Sequence, residues 1–519
     1  MTDLELFADL RQEASADYQQ RQELTGPTKL GIAILVLAVA STLLLTAVPT
    51  LAQGLGWAGL LGIGGLWVAG SAGWAWATYG PTAPGIRHDG VYFERTKNVG
   101  VFTVLVTIAL CTVYCTVWWS NHGDWMVYLT VATALTALWV YGKRQEVRYA
   151  GSVALLLVVG WLWFADLTPS ALDGVNPLTG LIALFDPLSR AMSGQPADKW
   201  FAYTSLYCAA VGLMGIRMFW KYRHSRYHLV RTASVVFFQL GFGFIVPFLL
   251  KGAGQKEFYF HYFWPLKPEY LLPFSIESGF LTYDAIGRAM LLWTVLLALV
   301  GVPILTWAYG KRWYCSWVCG CGALAETAGD PWRQHSDKSE SAWRVERVTV
   351  HGVLLAIVVI TVALWTHELA GRPYLSDGGS QVFWAWYGFF ITAGFSGVIG
   401  TGFYPVLGGR IWCRFGCPQA AILGLLQRYL SRFRITTNGD QCISCGNCST
   451  YCEMGIDVRA YAQRGDNIVR ASCVGCGVCA AVCPRGVLKL ENGPVTDRFD
   501  GADEPLQEFL RSLGVRPRK

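Results

Sequence analysis

The sequence predicts an all-α polytopic membrane protein of about ten transmembrane helices, followed by a small α+β domain near the C-terminus. Two observations carry that expectation. The 519-residue chain is 53% hydrophobic and only 15% charged, against about 25% charged in ordinary soluble domains, and long apolar runs recur along it. Eight cysteines near the C-terminus fall in two copies of one spacing, C-x2-C-x2-C-x3-C. The buried helices of a large soluble enzyme rarely reach membrane-spanning length so many times.

Crossing about 30 Å of hydrocarbon takes about 20 apolar residues. Runs of that kind lie at about 29–49, 56–79, 99–119, 126–142, 149–166, 200–220, 232–250, 288–310, 347–366 and 382–407. Lys and Arg orient them, because cytoplasmic connections carry the excess. With the N-terminus inside, the inner connections hold Arg87, Arg95 and Lys97, then Lys143, Arg144 and Arg148. The basic stretch 221–231 follows, and then Lys311, Arg312, Arg333, Lys338, Arg344 and Arg347. The outer connections hold fewer: Arg190, Lys199, Lys251, Lys256, Lys267, Arg288 and Arg372. Both termini are therefore expected on the cytoplasmic side of a bacterial inner membrane, with the C-terminal domain in the reducing compartment.

Composition divides the chain into blocks. Residues 1–28 are a polar segment without the apolar core of a signal peptide, read as a short helix on the cytoplasmic face. Residues 29–220 form a six-helix transmembrane domain, 221–231 a basic cytoplasmic linker, and 232–435 a four-helix module. Residues 436–491 hold the repeated cysteine spacing. A polar tail, 492–519, carries Leu506, Phe509, Leu510 and Leu513 at helical spacing. The outer connection 251–287 is dense in aromatics and proline and reads as an interfacial aromatic belt, with the lid of an amphiphile site as the alternative. The net charge of +7 suits membrane-facing loops, and no basic–aromatic stripe indicates nucleic acid.

The repeated spacing is the run that ligates [4Fe–4S] clusters in bacterial two-cluster ferredoxins. Three thiolates of one run hold three irons, and the fourth ligand comes from the other run. Cys442, Cys445, Cys448 and Cys483 are thereby assigned to one cluster, and Cys473, Cys476, Cys479 and Cys452 to the other. Structural zinc normally uses paired C-x-x-C units across a longer gap, and a disulfide framework needs an oxidising compartment. One irregularity stands out: Cys452 is followed by Glu453, where the second run has Pro484.

A second constellation sits at the inner ends of the eighth and tenth spans. Cys315, Cys319 and Cys321 follow Arg312; Cys413 and Cys417 follow Arg410, with Pro418 next. If each C-x3-C lies on one helix, positions i and i+4 share a face, and two facing pairs offer four thiolates at the membrane boundary. That is enough for a further redox centre, either another iron–sulfur cluster or a redox-active dithiol pair. Cys321 is the odd sulfur. Cys111 and Cys115 repeat the spacing without a partner pair, and Cys208 is alone; all three read as apolar filler.

A four-span unit with two C-x3-C motifs, followed by a two-cluster ferredoxin, resembles the membrane-bound polyferredoxins typified by NosR and NapH. It is also similar to CcoG-type accessory proteins of oxidase assembly. The resemblance covers about residues 232–490. It implies electron transfer between a quinone pool and cytoplasmic clusters for a partner redox enzyme, as a subunit of a quinol-dehydrogenase-type system. The CcoG likeness implies instead a maturation factor that reduces a metal or thiol. This chain departs in having Gly320 after Cys319, in lacking an S-G-A-T-like flavin attachment segment, and in its six leading spans.

Haem is not expected: there is no C-x-x-C-H, and the spans hold only His351 and His367 near their ends. A quinone needs an apolar cleft with one or two polar groups, for which His351, His367, Glu368 and the Asp and Glu residues of the outer connections are the candidates. A transporter with a redox-sensing domain is disfavoured, since the leading spans lack a mid-membrane charge cluster.

Overall fold

The fold is given by a computed structural model. It describes residues 26–80, 179–310, 312–370, 404–438, 441–468 and 470–492, with residues 387, 391, 395–396 and 399–401. Five helices in it are long and apolar enough to cross a membrane: Pro27–Leu45, Thr50–Tyr79, Arg226–Gly252, Ala285–Tyr309 and Glu340–Leu369. These coincide with the runs at 29–49, 56–79, 232–250, 288–310 and 347–366. The runs at 99–119, 126–142 and 149–166 lie outside the described residues, as does most of 382–407. So do residues 1–25 and 493–519, with the helices expected there.

Helices α1 (Gly26–Ala47) and α2 (Pro49–Tyr79) form a tight hairpin. Pro49 opens α2, where a missing N–H costs nothing. A Cβ on Gly31 would lie 2.7 Å from the Trp74 backbone nitrogen, so glycine is what lets the two backbones approach. The run 200–220 becomes α3 (Lys199–Lys221), capped by Asp198, whose carboxylate accepts from Phe201 N at 2.7 Å. It is not among the five; Arg217 and Lys221 near its end are buried.

Helix α4 (Arg226–Gly252) passes through a π-helical stretch, Phe238–Ile245. Helix α5 (Ala285–Tyr309) has another at Leu297–Gly301. The connection between them packs into the protein, and its Phe258, Phe263, Tyr270, Leu272 and Phe280 are buried. Buried backbone carbonyls need hydrogen-bond partners, and here aromatic donors supply them. Tyr314 Oη donates to the His261 carbonyl at 2.8 Å, and Trp293 Nε1 to that of Phe260 at 2.9 Å. From α8 (Glu340–Ala370, below), Trp365 Nε1 reaches the carbonyl of Leu271 at 2.7 Å.

After α5 come the short helices α6 (Trp313–Trp317) and α7 (Gly320–Thr327), the long α8 (Glu340–Ala370), and then α9 (Ile411–Phe415) and α10 (Pro418–Leu430). The C-terminal domain is α+β. Strand β1 (Phe433–Thr437) pairs antiparallel with β2 (Leu488–Asn492), Ile435 opposite Leu490. Between them lie α11 (Asn447–Thr450), α12 (Val458–Arg464) and α13 (Val478–Ala481). The domain docks where α4 starts and α5 ends. Tyr227 Oη donates to Gly475 O at 2.7 Å, Arg231 Nη1 to Cys476 O at 2.8 Å, and Asn492 Nδ2 to Ala308 O at 3.1 Å. The basic linker and the cysteine-rich domain thus share one end of the bundle.

Candidate iron–sulfur centres

The two C-x3-C motifs adopt one backbone design, and it is not a continuous helix. Cys315 lies inside α6, but Val318 breaks the helix at φ −129, and Cys319 is extended (φ −68, ψ 137) at the start of α7. Cys413 lies inside α9, Gly416 breaks it at φ −129, and Cys417 (φ −85, ψ 114) opens α10. The expectation of an i, i+4 pair on one helix is corrected accordingly. In the second motif the cause is Pro418, which disfavours helical backbone in the residue before it. In both, the second cysteine is tied back the same way: Cys319 N to Tyr314 O at 2.9 Å, Cys417 N to Trp412 O at 3.0 Å.

Cys315, Cys319, Cys413 and Cys417 are all buried. Burial pushes the Cys315 thiol up, and Cys413, Cys319 and Cys417 add to it, so these sulfurs occupy one neighbourhood. Cys319 behaves differently, its thiol falling to about 7. The main cause is a hydrogen bond from Cys321, which outweighs burial with help from the Gly322 and Cys321 backbone N–H groups and Arg410. The odd sulfur therefore supports the Cys319 thiolate at the head of α7. Gly320 also gains a reason. A Cβ there would lie 2.8 Å from Tyr207 Oη and 2.9 Å from Tyr262 Oη, leaving no room for the proline found after Cys417.

A buried charged layer lies beside these cysteines and reaches the C-terminal domain through Glu453. Glu326 accepts from Arg231 at 2.6 Å and Arg333 at 2.8 Å, and pairs with Arg410 as well. Burial opposes its ionisation, yet the three guanidiniums hold its carboxyl down at about 2. Asp330 accepts from Lys221 at 2.7 Å, Arg333 at 2.7 Å and Arg217 at 3.1 Å. Glu453, the residue that replaces proline, is 1% exposed and pairs with Arg333 at 2.8 Å and Arg410 at 3.2 Å. Arg414 meets Glu346 at 3.1 Å. Arg312 is held by carbonyls, Ala471 O at 2.9 Å and Cys413 O at 3.0 Å. Among the described residues the layer holds seven buried cations (Arg217, Lys221, Arg231, Arg312, Arg333, Arg410, Arg414) and four carboxylates (Glu326, Asp330, Glu346, Glu453). Each uncompensated buried charge costs several kcal/mol, so the layer favours an anionic centre beside it. Cysteines deprotonated on binding a cluster would supply that charge.

In the C-terminal domain one cavity is lined by Cys442, Cys445, Cys448 and Cys483, together with Arg459, Pro484 and Arg485. The fourth cysteine comes from the second run. Burial pushes the Cys448 thiol up to about 11, and Cys445, Cys483 and Cys442 add to it. Cys452 stands near Cys473 of the second run. Its thiol is raised to about 11 by burial with a contribution from Cys473, and Cys479, raised by burial first, is influenced by Cys476, Cys473 and Cys452. The two loops bend alike, with Ser444 (φ 59) and Gly446 (φ 80) matching Gly475 (φ 67) and Gly477 (φ 78). Among the described residues no three Cys, His, Asp or Glu are placed to hold a single metal ion. A tetrahedral ion with bonds of about 2.3 Å draws its sulfurs together, whereas cysteines around a cavity fit a polynuclear cluster.

Other sequence candidates stand apart. Cys208 is buried and donates to Gln239 O at 3.4 Å. His351 and Glu368 are exposed on α8 and His367 is half-buried near its far end. Cys111 and Cys115 lie outside the described residues. Sequence reasoning missed the arginine–carboxylate layer, although Glu453 in a proline position was its visible signal.

Comparisons with known proteins agree with the cysteine chemistry. Residues 441–488 match the family described as a 4Fe-4S dicluster domain. Residues 291–338 and 388–437 each match a family described as a 4Fe-4S binding domain. The chain therefore carries iron–sulfur binding domains in both its membrane module and its C-terminal domain. The chain is 30% identical over 193 residues to the Escherichia coli (strain K12) protein YccM, whose name assigns it provisionally to electron transport. That match covers 36% of this chain and 52% of YccM, so the chain spans about half the length of this relative. No solved structure matches the chain.

Proposed function

We propose that this is a membrane-bound iron–sulfur electron-transfer protein that carries electrons between a quinone pool and the C-terminal [4Fe–4S] clusters, for a partner redox enzyme. One observation carries the reading: the turn that holds Cys315 is hydrogen-bonded to the loop that holds Cys473 and Cys476. Arg312 N donates to Cys473 O at 3.3 Å and Ser316 Oγ to Val474 O at 2.9 Å, so the Cys315 turn rests on the Cys473–Cys476 loop. Arg410 joins Cys315 O at 2.9 Å to Glu453, the neighbour of Cys452. The Cys442 cavity lies beyond.

Cys442, Cys445, Cys448 and Cys483 would hold one cluster, and Cys473, Cys476, Cys479 and Cys452 the other. Cys315, Cys319, Cys413 and Cys417 would hold a third centre at the membrane boundary, supported by the net positive layer and by the two further family matches. A [4Fe–4S] cluster supplies one-electron storage at a potential set by charge, hydrogen bonds and exposure. The chain's own residues fix position and exclude water: the buried arginines offset thiolate charge, and Tyr207 and Tyr262 pack against Gly320 beside Cys319. The likeness to NosR and NapH supports quinol as the membrane-side donor.

Iron and sulfide quantification with an EPR redox titration on detergent-purified protein tests this. Three clusters, one spectrally lost when Cys413 is replaced, are expected. Iron for no more than one cluster, or none reducible in the range of a quinone, would overturn the reading.

A further inference from the structure

The centres are not equally exposed. Cys473 and Cys479 are buried, and their loop is pressed against α4 and α6 through Tyr227, Arg231 and Ser316. The Cys442 cavity faces outward: Cys445 is exposed, and Ile443 is 46% exposed beside it. Ile443, Gly446 and Pro484 give the mouth an apolar centre. Arg459 and Arg485 flank it, both exposed, and neither forms an ion pair among the described residues. No described residue lining the cavity is acidic. An apolar centre inside a single-sign rim is how transient interfaces are built, with the rim steering encounter and selecting the partner's charge.

We propose that the mouth of the Cys442–Cys445–Cys448–Cys483 cavity is the docking surface for a soluble one-electron carrier with an acidic face. The inference rests on the reading that these cysteines hold a cluster. One electron passes across the contact: the cluster is oxidised by one electron and the carrier's cofactor reduced by one, with no bond made and no proton moved. The dithionite-reduced cluster and the oxidised carrier supply both sides of that balance.

The test uses the full-length protein in detergent with two high-potential probes, an acidic blue-copper protein and a basic c-type cytochrome. Binding is measured by calorimetry at low and high salt, and electron transfer by stopped flow after removal of excess dithionite. The acidic probe should bind and react at least tenfold better than the basic one at low salt, and the advantage should vanish at high salt. Arg459→Glu with Arg485→Glu should remove the advantage with iron content unchanged. If that variant loses iron, Arg459→Gln with Arg485→Gln decides, and should still weaken binding of the acidic probe severalfold. Equal or better binding of the basic probe, or undiminished acidic binding in an iron-replete variant, overturns the docking surface. Absence of iron from the wild-type protein overturns the cluster reading instead, so the two failures are distinguishable.

Discussion

Arg312 and Arg410 exchange partners across the two cysteine repeats. Arg312 Nη1 donates to the carbonyl oxygen of Cys413 at 3.0 Å, and Arg410 Nη1 to that of Cys315 at 2.9 Å. Each arginine stands three residues before the first cysteine of its own motif and grips the first cysteine of the other. The exchange ties the two motifs together reciprocally and brings the first cysteine of each beside the arginine of the other. It also puts two guanidiniums within the layer that must be neutralised.

Arg410 is fully buried and touches Glu326, Glu453 and Cys315 O. Arg410→Gln should cost about 3–5 kcal/mol, the range for breaking a buried ion pair from one side. Arg410→Lys should recover little, because an ammonium cannot fork to three acceptors. Thermal melts with iron content check both; a wild-type melt for Arg410→Lys would show the fork to be dispensable.

Glu453→Gln removes a carboxylate from between Arg333 and Arg410. The lost negative charge beside Cys452 should raise the midpoint potential of the cluster assigned to Cys473, Cys476, Cys479 and Cys452. It should leave the other cluster nearly unmoved. An EPR titration reads the sign, and an unchanged or lowered potential would contradict the role given to this layer.

The boundary cysteines should act as a unit. Cys319→Ala and Cys413→Ala should each abolish electron flow from the membrane side while the ferredoxin clusters survive. The double variant should be hardly worse than either single one, since residues sharing one centre are non-additive. Cys321→Ala should cost less than either. Losses that simply add, with normal flow per folded molecule, would point to packing.

Ligand loss in the C-terminal domain should be selective and crossed. Cys483→Ala should remove the cluster assigned to Cys442, Cys445 and Cys448, and Cys452→Ala the other. EPR after reduction distinguishes the two, and damage confined to the mutated residue's own run would refute the crossing.

Topology can be checked without any cofactor. A reporter within 221–231 should read as cytoplasmic, on the same side as one after Lys519, and one within 251–287 as external. The structure places the linker against the C-terminal domain through Tyr227 and Arg231. An external signal from 221–231 would reverse the orientation drawn from Lys and Arg.

The legible features were those written in local pattern. The apolar runs at 29–49, 56–79, 232–250, 288–310 and 347–366 became membrane-length helices because length and hydropathy are properties of a single segment. The C-x2-C spacing set the loop shape because its left-handed positions, Ser444 and Gly475, lie within the motif. The C-x3-C reading went wrong at Val318 and Gly416, where one turn of helix ends. Spacing alone does not report a break in backbone. The packing of 251–287 was not legible for a related reason: its partners Tyr314 and Trp365 lie in other segments.

Local pattern in the chain specified membrane-length apolar helices, two iron–sulfur cysteine runs and a further set of cysteines. What surrounds those cysteines was settled by contacts between distant segments. Glu453 meets Arg333 and Arg410, Arg312 meets Cys413, and Tyr207 and Tyr262 close over Gly320. Hydrophobic period and ligand spacing act between neighbours in the chain. Buried charges must find compensation wherever the fold provides it, and those partners are remote in sequence.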